Sequence, residues 1–257
     1  MLLPRIIPCL LLKSNGIYNS HNFSKYVYLG DPINIVKIFS EKNVDEIIIL
    51  DIEKTINNVE PDYNFIKKIA NEATMPLTYG GGIKNEAHIE KIINAGIEKI
   101  TISSLAIEYP EKIKNLINIF GAQSISIVID VRWIEEENEY KIFTNSGKKI
   151  SDRNFLHFLK FLNEIKVGEI IVNSIDFDGT KKGYDEKLIS ILKSNLNIPS
   201  TILGGASSSS NINECIKKYG IMGYAATSIF VYQGKLDAVL LSYPDINKKI
   251  KMRNEDL

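Results

Sequence analysis

"MPLTYGGGIKNEAHIEKIINAGIEKITISS", residues 75–104, decides the fold. It opens with a short β-type run, "MPLTYG" (75–80), that ends on glycines. A helix-length pattern follows, "NEAHIEKIINAG" (85–96), closed by a glycine where a helix commonly stops. A second β-type run, "EKITISS" (98–104), comes next. Strand, glycine turn, helix, strand is the unit of a parallel sheet, because parallel neighbours need a crossover long enough to hold a helix. The phrase returns as "TILGGAS" (201–207), the helical "NINECIKKYG" (211–220) and "GYAATS" (223–228).

Outward from there, the same alternation fills the chain. The remaining β-type runs are "RIIPCLLL" (5–12), "EIIILDI" (46–52), "SISIVID" (124–130), "EIIVNSI" (169–175) and "PSTILG" (199–204), the last overlapping the repeated phrase. One helix-sized segment separates most of them. "DPINIVKIFSEKN" (31–43) carries Asp31 as a cap and Pro32 at the first helical position. Eight strand–helix units predict an α/β protein, a closed parallel (βα)8 barrel in one domain over 1–257. "RWIEEENEYKIFTNSGKK" (132–149) breaks the rhythm and reads as a β-hairpin inserted after strand 5. The chain also resembles itself. Pro76 and Pro199, Gly81 and Gly204, Gly82 and Gly205, and Glu46 and Glu169 each lie 123 positions apart (199 − 76), and Ser104 and Ser228 lie 124 apart. This predicts two (βα)4 half-barrels, about 1–121 and 122–257.

Composition excludes several function classes. Lysine plus arginine equals aspartate plus glutamate at 31 each, so no charge excess points to nucleic acid or a membrane surface. No apolar run approaches the ~20 residues of a membrane span. The opening "MLLPRIIPCLLLKSNG" is broken by Pro4, Arg5 and Pro8 and reads as a strand, not a signal peptide. Two cysteines, Cys9 and Cys215, and three histidines make neither a disulfide framework nor a zinc pattern. The expectation is a cytoplasmic protein with no metal and no cofactor. Cys9 reads as core packing. His21, His88 and His157 read as surface residues, and the basic tail "NKKIKMRNEDL" (247–257) as a solvated helix end.

Glycines at a strand's carboxyl end expose backbone N–H groups, and the next helix adds its dipole, which together suit an anion. Gly81 and Gly82, with Ser103 and Ser104 on the neighbouring strand end, predict one phosphate site. Gly204 and Gly205, with Thr227 and Ser228, predict a second. A ligand with a phosphate at each end would lie across the barrel mouth. The plain alternative is that these glycines only make tight turns.

Taken together, "RIIPCLLLK", "NF…GDP" (22–32), "DEIIILDI", "GGGI", "EKITISS", "GAQSISIVIDVR", "TNSGKK", "NSIDFDGTKKGYD" and "ATSIF" resemble the cyclase subunit of imidazole glycerol phosphate synthase over nearly the whole chain. The resemblance implies a (βα)8 barrel with two phosphate sites. It also implies a glutaminase docked at the bottom of the barrel, whose ammonia reacts with a ribulosyl-phosphate nucleotide. The family uses two aspartates as acid and base. One corresponds to Asp130, at the end of strand 5. The other position holds Leu11, which cannot move a proton. A family lysine in the first loop is Asn19 here, with Lys13 and Lys25 nearby. Asp178 and Gly179 match the family's strand-6 loop at the second phosphate site, although an Asx-turn role is equally available to Asp178.

Arg5, Glu46, Lys99 and Glu169 stand at strand starts with alternating sign. They are either four solvated charges or a ring inside the barrel floor. The resemblance implies the ring, at the position of the family's ammonia gate, and implies that Glu98 and Gln123 face the glutaminase. The apolar "LLL" after the first strand resembles a branch of the family associated with glycosyl amidation in bacterial surface-polysaccharide and nonulosonic-acid pathways. That implies ammonia delivery to an N-sugar amidotransferase. The rival expectations are a working cyclase and a non-catalytic scaffold for the glutaminase. Tyr18, Tyr26 and Tyr28 either stack on a nucleotide base or pack the first loop shut. Asp51 either faces the mouth or caps the next helix, and Asp176 lies in the strand-6 loop.

Overall fold

A computed structural model describes residues 3–234, 236–245, 247–249 and 251. Its centre is a barrel of eight parallel strands: β1 (Arg5–Lys13), β2 (Ile47–Asp51), β3 (Leu77–Gly80), β4 (Lys99–Ile102), β5 (Ile125–Ile134), β6 (Glu169–Ser174), β7 (Ser200–Leu203) and β8 (Gly223–Ala226). Neighbours in sequence are neighbours in space, β8 pairs with β1, and the β5–β6 ladder from Glu169↔Ser126 to Ser174↔Val131 completes the closure. The expected (βα)8 architecture is therefore the one observed.

Among the described residues, seven helices of at least eight residues cover the outside: α1 (Pro32–Glu41), α2 (Tyr63–Ala70), α3 (Glu86–Asn94), α4 (Pro110–Phe120), α5 (Phe155–Glu164), α6 (Glu186–Asn195) and α7 (Ser209–Tyr219). Six of them begin the same way. Asp31, Asp62, Asn85, Asn154, Asp185 and Ser208 are extended N-caps whose side chains accept the backbone N–H three residues on. All six caps fall into three pairs at the 123-residue spacing, Asp31 with Asn154, Asp62 with Asp185 and Asn85 with Ser208 (154 − 31, 185 − 62 and 208 − 85).

Strand periodicity of two sorts the side chains into two cores. On β1, Ile6, Leu10 and Leu12 join the large core between barrel and helices. Ile7 and Cys9 point inward, where they meet Ile48, Val128, Ile171, Leu203 and Ala225 in a separate apolar layer. Cys9 is fully buried there, as the sequence suggests.

Two antiparallel additions rise from the barrel. The end of β5 pairs with Glu139–Thr144, which pairs in turn with Lys149–Asn154. The other addition departs from the sequence reading, which places Tyr18, Tyr26 and Tyr28 in a long first loop. Gly16–His21 folds back on β1 and pairs with Lys25–Gly30 as a two-stranded ribbon. Alternation in "GIYNSH" and "KYVYLG", around left-handed Asn22 and Phe23, is the signal for it.

The tail also departs from its reading. Lys249 is buried, and its Nζ reaches the Asn43 carbonyl at 2.9 Å and Asp45 Oδ1 at 3.0 Å, which removes it from solvent. Residues 250 and 252–257 of the tail lie outside the described residues.

Candidate active site

The carboxyl ends of the strands open into a cavity of about 600 Å³. Its wall includes Leu11, Leu50 and Val128 on the apolar side, and Asp51, Asp130, Asn173 and Thr101 on the polar side. Gly81, Gly82, Ser103 and Ser104 line it as well. Gly81 and Gly82 have φ of +126° and +69°. A Cβ on Gly81 would stand 2.3 Å from the Asp51 carbonyl oxygen. Only glycine lets the β3 turn pass so close to the end of β2. The hydroxyls of Ser103 and Ser104 make no hydrogen bond among the described residues.

Asp130 ends the barrel part of β5, where its Oδ1 accepts from Asn173 Nδ2 at 3.2 Å. Burial pushes its carboxyl up to about 7; the Asn173 hydrogen bond pulls the other way, and the charge of Asp178 adds to the rise. A carboxyl near 7 carries a proton part of the time at neutral pH, which is what a general acid or base needs. Leu11 lines the same cavity and offers no proton. Asp51 does not cap the following helix, whose N-cap is Asp62. Asp51 lines the mouth, and its Oδ1 accepts from the Glu53 and Lys54 amides at 3.3 Å each. Burial raises its carboxyl, only partly offset by Lys54.

The second glycine set is placed differently. Gly204, Gly205, Thr227, Ser228, Asp178 and Gly179 do not line this cavity. Ser228 is buried, and its hydroxyl donates to Asn19 Oδ1 at 3.0 Å. The Thr227 hydroxyl donates to the Cys9 carbonyl. Asp178 Oδ2 accepts from Ser20 Oγ and, at 3.3 Å, from the Phe23 amide. Burial raises the Asp178 carboxyl, with the Ser20 and Phe23 hydrogen bonds opposing. The first-loop ribbon thus sits on this set. It also brings Phe23 and Tyr26 to the rim of the cavity. Tyr18 and Tyr28 pack edge to face on each other at 5.4 Å. Asp176 lies apart from the cavity and pairs with Arg132 at 2.9 Å.

At the opposite end, the four strand-start charges converge. Arg5 Nη1 meets Glu46 at 2.5 Å and Arg5 Nη2 meets Glu169 at 2.5 Å. Lys99 Nζ meets Glu46 at 3.2 Å and Glu169 at 2.8 Å. Each carboxylate thus touches both cations in a closed ring. Both glutamates are almost fully buried. Burial alone would raise the Glu169 carboxyl, but Arg5 and Lys99 outweigh it and hold it well below the usual carboxylate range. Burial would likewise lower the Arg5 pKa, and Glu169 and Glu46 reverse that. Thr78 donates to Glu46 at 2.7 Å, and Thr201 donates to Glu169. These two threonines share the 123-residue spacing (201 − 78), and the sequence reading did not single them out. Glu98 and Gln123 are exposed, and Glu98 Oε2 also accepts the Leu77 amide at 2.9 Å.

His88 corrects the sequence reading. It is buried on α3, with Nδ1 3.2 Å from the Gly82 carbonyl and Nε2 3.6 Å from Glu60. The Asn85 cap starts α3 so that His88 falls on the barrel-facing side with Ile89 and Ile92, directly behind the glycine turn. His21 and His157 are exposed, as expected.

A family profile described as "Histidine biosynthesis protein" matches residues 5–237. A Leptospira borgpetersenii protein named "Putative imidazole glycerol phosphate synthase subunit HisF" is 44% identical over 245 residues, covering 95% of this chain and 96% of its own length. A Pseudomonas aeruginosa protein of the same name, with the subunit numbered hisF2, is 42% identical over 247 residues, covering 95% and 97%. The Lactococcus lactis "Imidazole glycerol phosphate synthase subunit HisF" is 35% identical over 232 residues, covering 90% of each chain.

Proposed function

The chain belongs to the histidine biosynthesis protein family, and from that premise we propose that it is the barrel subunit of a glutamine-dependent amidotransferase whose acceptor differs from the cyclase substrate. In this reading a glutaminase docks at the floor, where Glu98 and Gln123 are exposed. Ammonia enters past the ring of Arg5, Glu46, Lys99 and Glu169. One cation must swing aside to admit it, because the ring is closed by four ion pairs. It then crosses the apolar layer around Cys9 and Ile171 and reaches an acceptor in the mouth cavity. An apolar passage suits neutral ammonia and excludes ammonium, whose charge is costly to desolvate.

The observation that carries the different acceptor is Leu11. It supplies part of the cavity wall where the resemblance expects the second proton carrier. Loss of a general acid or base typically costs ~10²–10⁴ in rate. Asp130 remains poised to take or give one proton. Amidation of a bacterial surface-glycan or nonulosonic-acid sugar, with an N-sugar amidotransferase completing the reaction, is the acceptor class proposed. The relatives' names favour a second reading, a working cyclase that uses Asp130 with another proton carrier.

Isotope tracing separates these readings. The purified barrel–glutaminase complex is incubated with amide-¹⁵N glutamine and a whole extract of source cells lacking this chain, which supplies both acceptor and amidotransferase, and labelled products are identified by mass spectrometry. The proposal expects a labelled amidino product. It also expects Arg5→Ala with Lys99→Ala to cut labelling from glutamine, because Glu46 and Glu169 left without their cations hold ammonium at the floor, while sparing labelling from ¹⁵N-ammonium that enters at the mouth. Labelled imidazole glycerol phosphate would establish the cyclase instead. Glutamine labelling that survives the double substitution would reduce the barrel to a scaffold.

A further inference from the structure

The two glycine sets that the sequence presents as equivalents are in different states, and the difference bears on what the mouth binds. The first set is open. Gly81, Gly82, Ser103 and Ser104 face the cavity, and the two serine hydroxyls have no partner among the described residues. The second set is occupied by the protein itself. Asn19, only 8% exposed, lies against it. Its carboxamide oxygen accepts from Ser228 Oγ at 3.0 Å, as a phosphate oxygen would. That bond satisfies the amide oxygen of a buried side chain, so Asn19 is held where it is.

The ribbon that carries Asn19 is pinned beside it. The Asn22 amide donates to the Asp178 carbonyl at 2.9 Å, and Ser20 Oγ and the Phe23 amide both donate to the Asp178 carboxylate. Gly179 sits so close beneath that a Cβ there would stand 2.1 Å from the Ser20 carbonyl oxygen. A dianion entering this place would have to strip Ser228 from Asn19 and approach the Asp178 carboxylate, a like charge. The Thr227 hydroxyl is spent on the Cys9 carbonyl as well.

We infer that Asn19 is a specificity-determining residue that fills the second anion cradle, so that the mouth takes an acceptor bearing one phosphate, held at Gly81–Gly82 and Ser103–Ser104, and an uncharged far end. The inference rests on the reading of the mouth as the acceptor-binding end. It narrows the acceptor to singly phosphorylated polyols or sugars, against the doubly phosphorylated ligand that two equal cradles would select.

The test is a pair of probes on the full chain, ribulose 5-phosphate and ribulose 1,5-bisphosphate. Affinity is read by titration calorimetry, and position by backbone amide shifts. Wild-type protein should bind the two within about threefold of each other. Both probes should shift the amides of Gly81, Gly82 and Ser104, and neither those of Gly205 and Ser228. Asn19→Ala should open the second cradle, so that the bisphosphate gains about tenfold or more and the Gly205 and Ser228 amides respond. Asn19→Asp puts a carboxylate in the same place and should keep the wild-type pattern, which guards against a folding artefact in the alanine variant. A wild-type preference of tenfold or more for the bisphosphate, with shifts at Gly205 and Ser228, would overturn the inference. So would absence of shifts at Gly81 and Gly82 with both probes. If glutamine-dependent labelling persists in either case, this inference alone has failed and the ammonia-relay reading stands.

Discussion

Asp130 and Leu11 share the wall of the mouth cavity, and the proposed chemistry turns on them at the scale of single residues. Asp130 has its pKa raised to about 7, above the usual carboxylate value of 3.8, so the native state binds its proton more tightly than the unfolded chain does. Stability from this group is fully present below the unfolded pKa and is lost as pH rises through about 7. Asp130→Asn removes that liability. The variant should therefore gain on wild type between pH 4 and pH 8, by on the order of a few kcal/mol at the upper end. Urea unfolding at a series of pH values checks it, and a difference that does not change with pH would show that Asp130 is ionised as usual. His88 makes a different point at this scale. Its spacing in the sequence gives a histidine on a helix. What makes it part of the site is that α3 turns it toward the Gly82 carbonyl, a contact that only the packing of α3 behind the β3 turn creates.

Elements explain how much of the site was legible beforehand. The strands and capped helices are written in local signals: β-branched runs, Asp or Asn three residues before a helical N–H, glycine after the last turn. Those signals carry through to the structure because local preference and barrel packing agree. The first-loop ribbon is where they fall short. Asn19 and Ser20 look like loop residues, and their partners Ser228 and Asp178 are about 200 and 160 residues away in the chain. The internal repeat is likewise legible as a spacing but not as an energy. Asp62 and Asp185 cap equivalent helices, yet Asp62 is exposed, whereas Asp185 is buried and also accepts from Tyr140 at 2.8 Å and Ser174 at 3.2 Å. Asp62→Ala should cost about 1 kcal/mol, an ordinary cap. Asp185→Ala should cost about 3 kcal/mol, because it strands two buried hydroxyls as well. Equal losses in chemical denaturation would mean that the extra bonds at Asp185 contribute nothing.

The whole molecule is a cylinder with a charged floor, an apolar middle and a half-open mouth. The floor belongs to no single element, since β1, β4 and β6 each supply one charge and Glu46, just before β2, supplies the fourth. Alternating sign at four strand starts hints at the ring, and barrel closure completes it. Arg5→Ala should destabilise the protein by about 3–5 kcal/mol, because two buried carboxylates are then left to Lys99 alone. The Glu169 carboxyl is held low in the folded state, so the ring's contribution is present above the ordinary glutamate pKa of 4.5 and is lost as pH falls below it. The penalty of Arg5→Ala should accordingly be largest near neutral pH and shrink toward pH 2, measurable by urea midpoints. At the other end, the proposal is that the mouth has one proton carrier, Asp130, where the family resemblance implies two. That claim is tested most directly by turnover of the purified barrel with ammonium salt and the ribulosyl-phosphate nucleotide, measured as imidazole glycerol phosphate formed. With Leu11 beside Asp130 the expected rate is roughly 10²-fold or more below that of a family cyclase assayed alongside; a rate equal to that cyclase's would contradict the account.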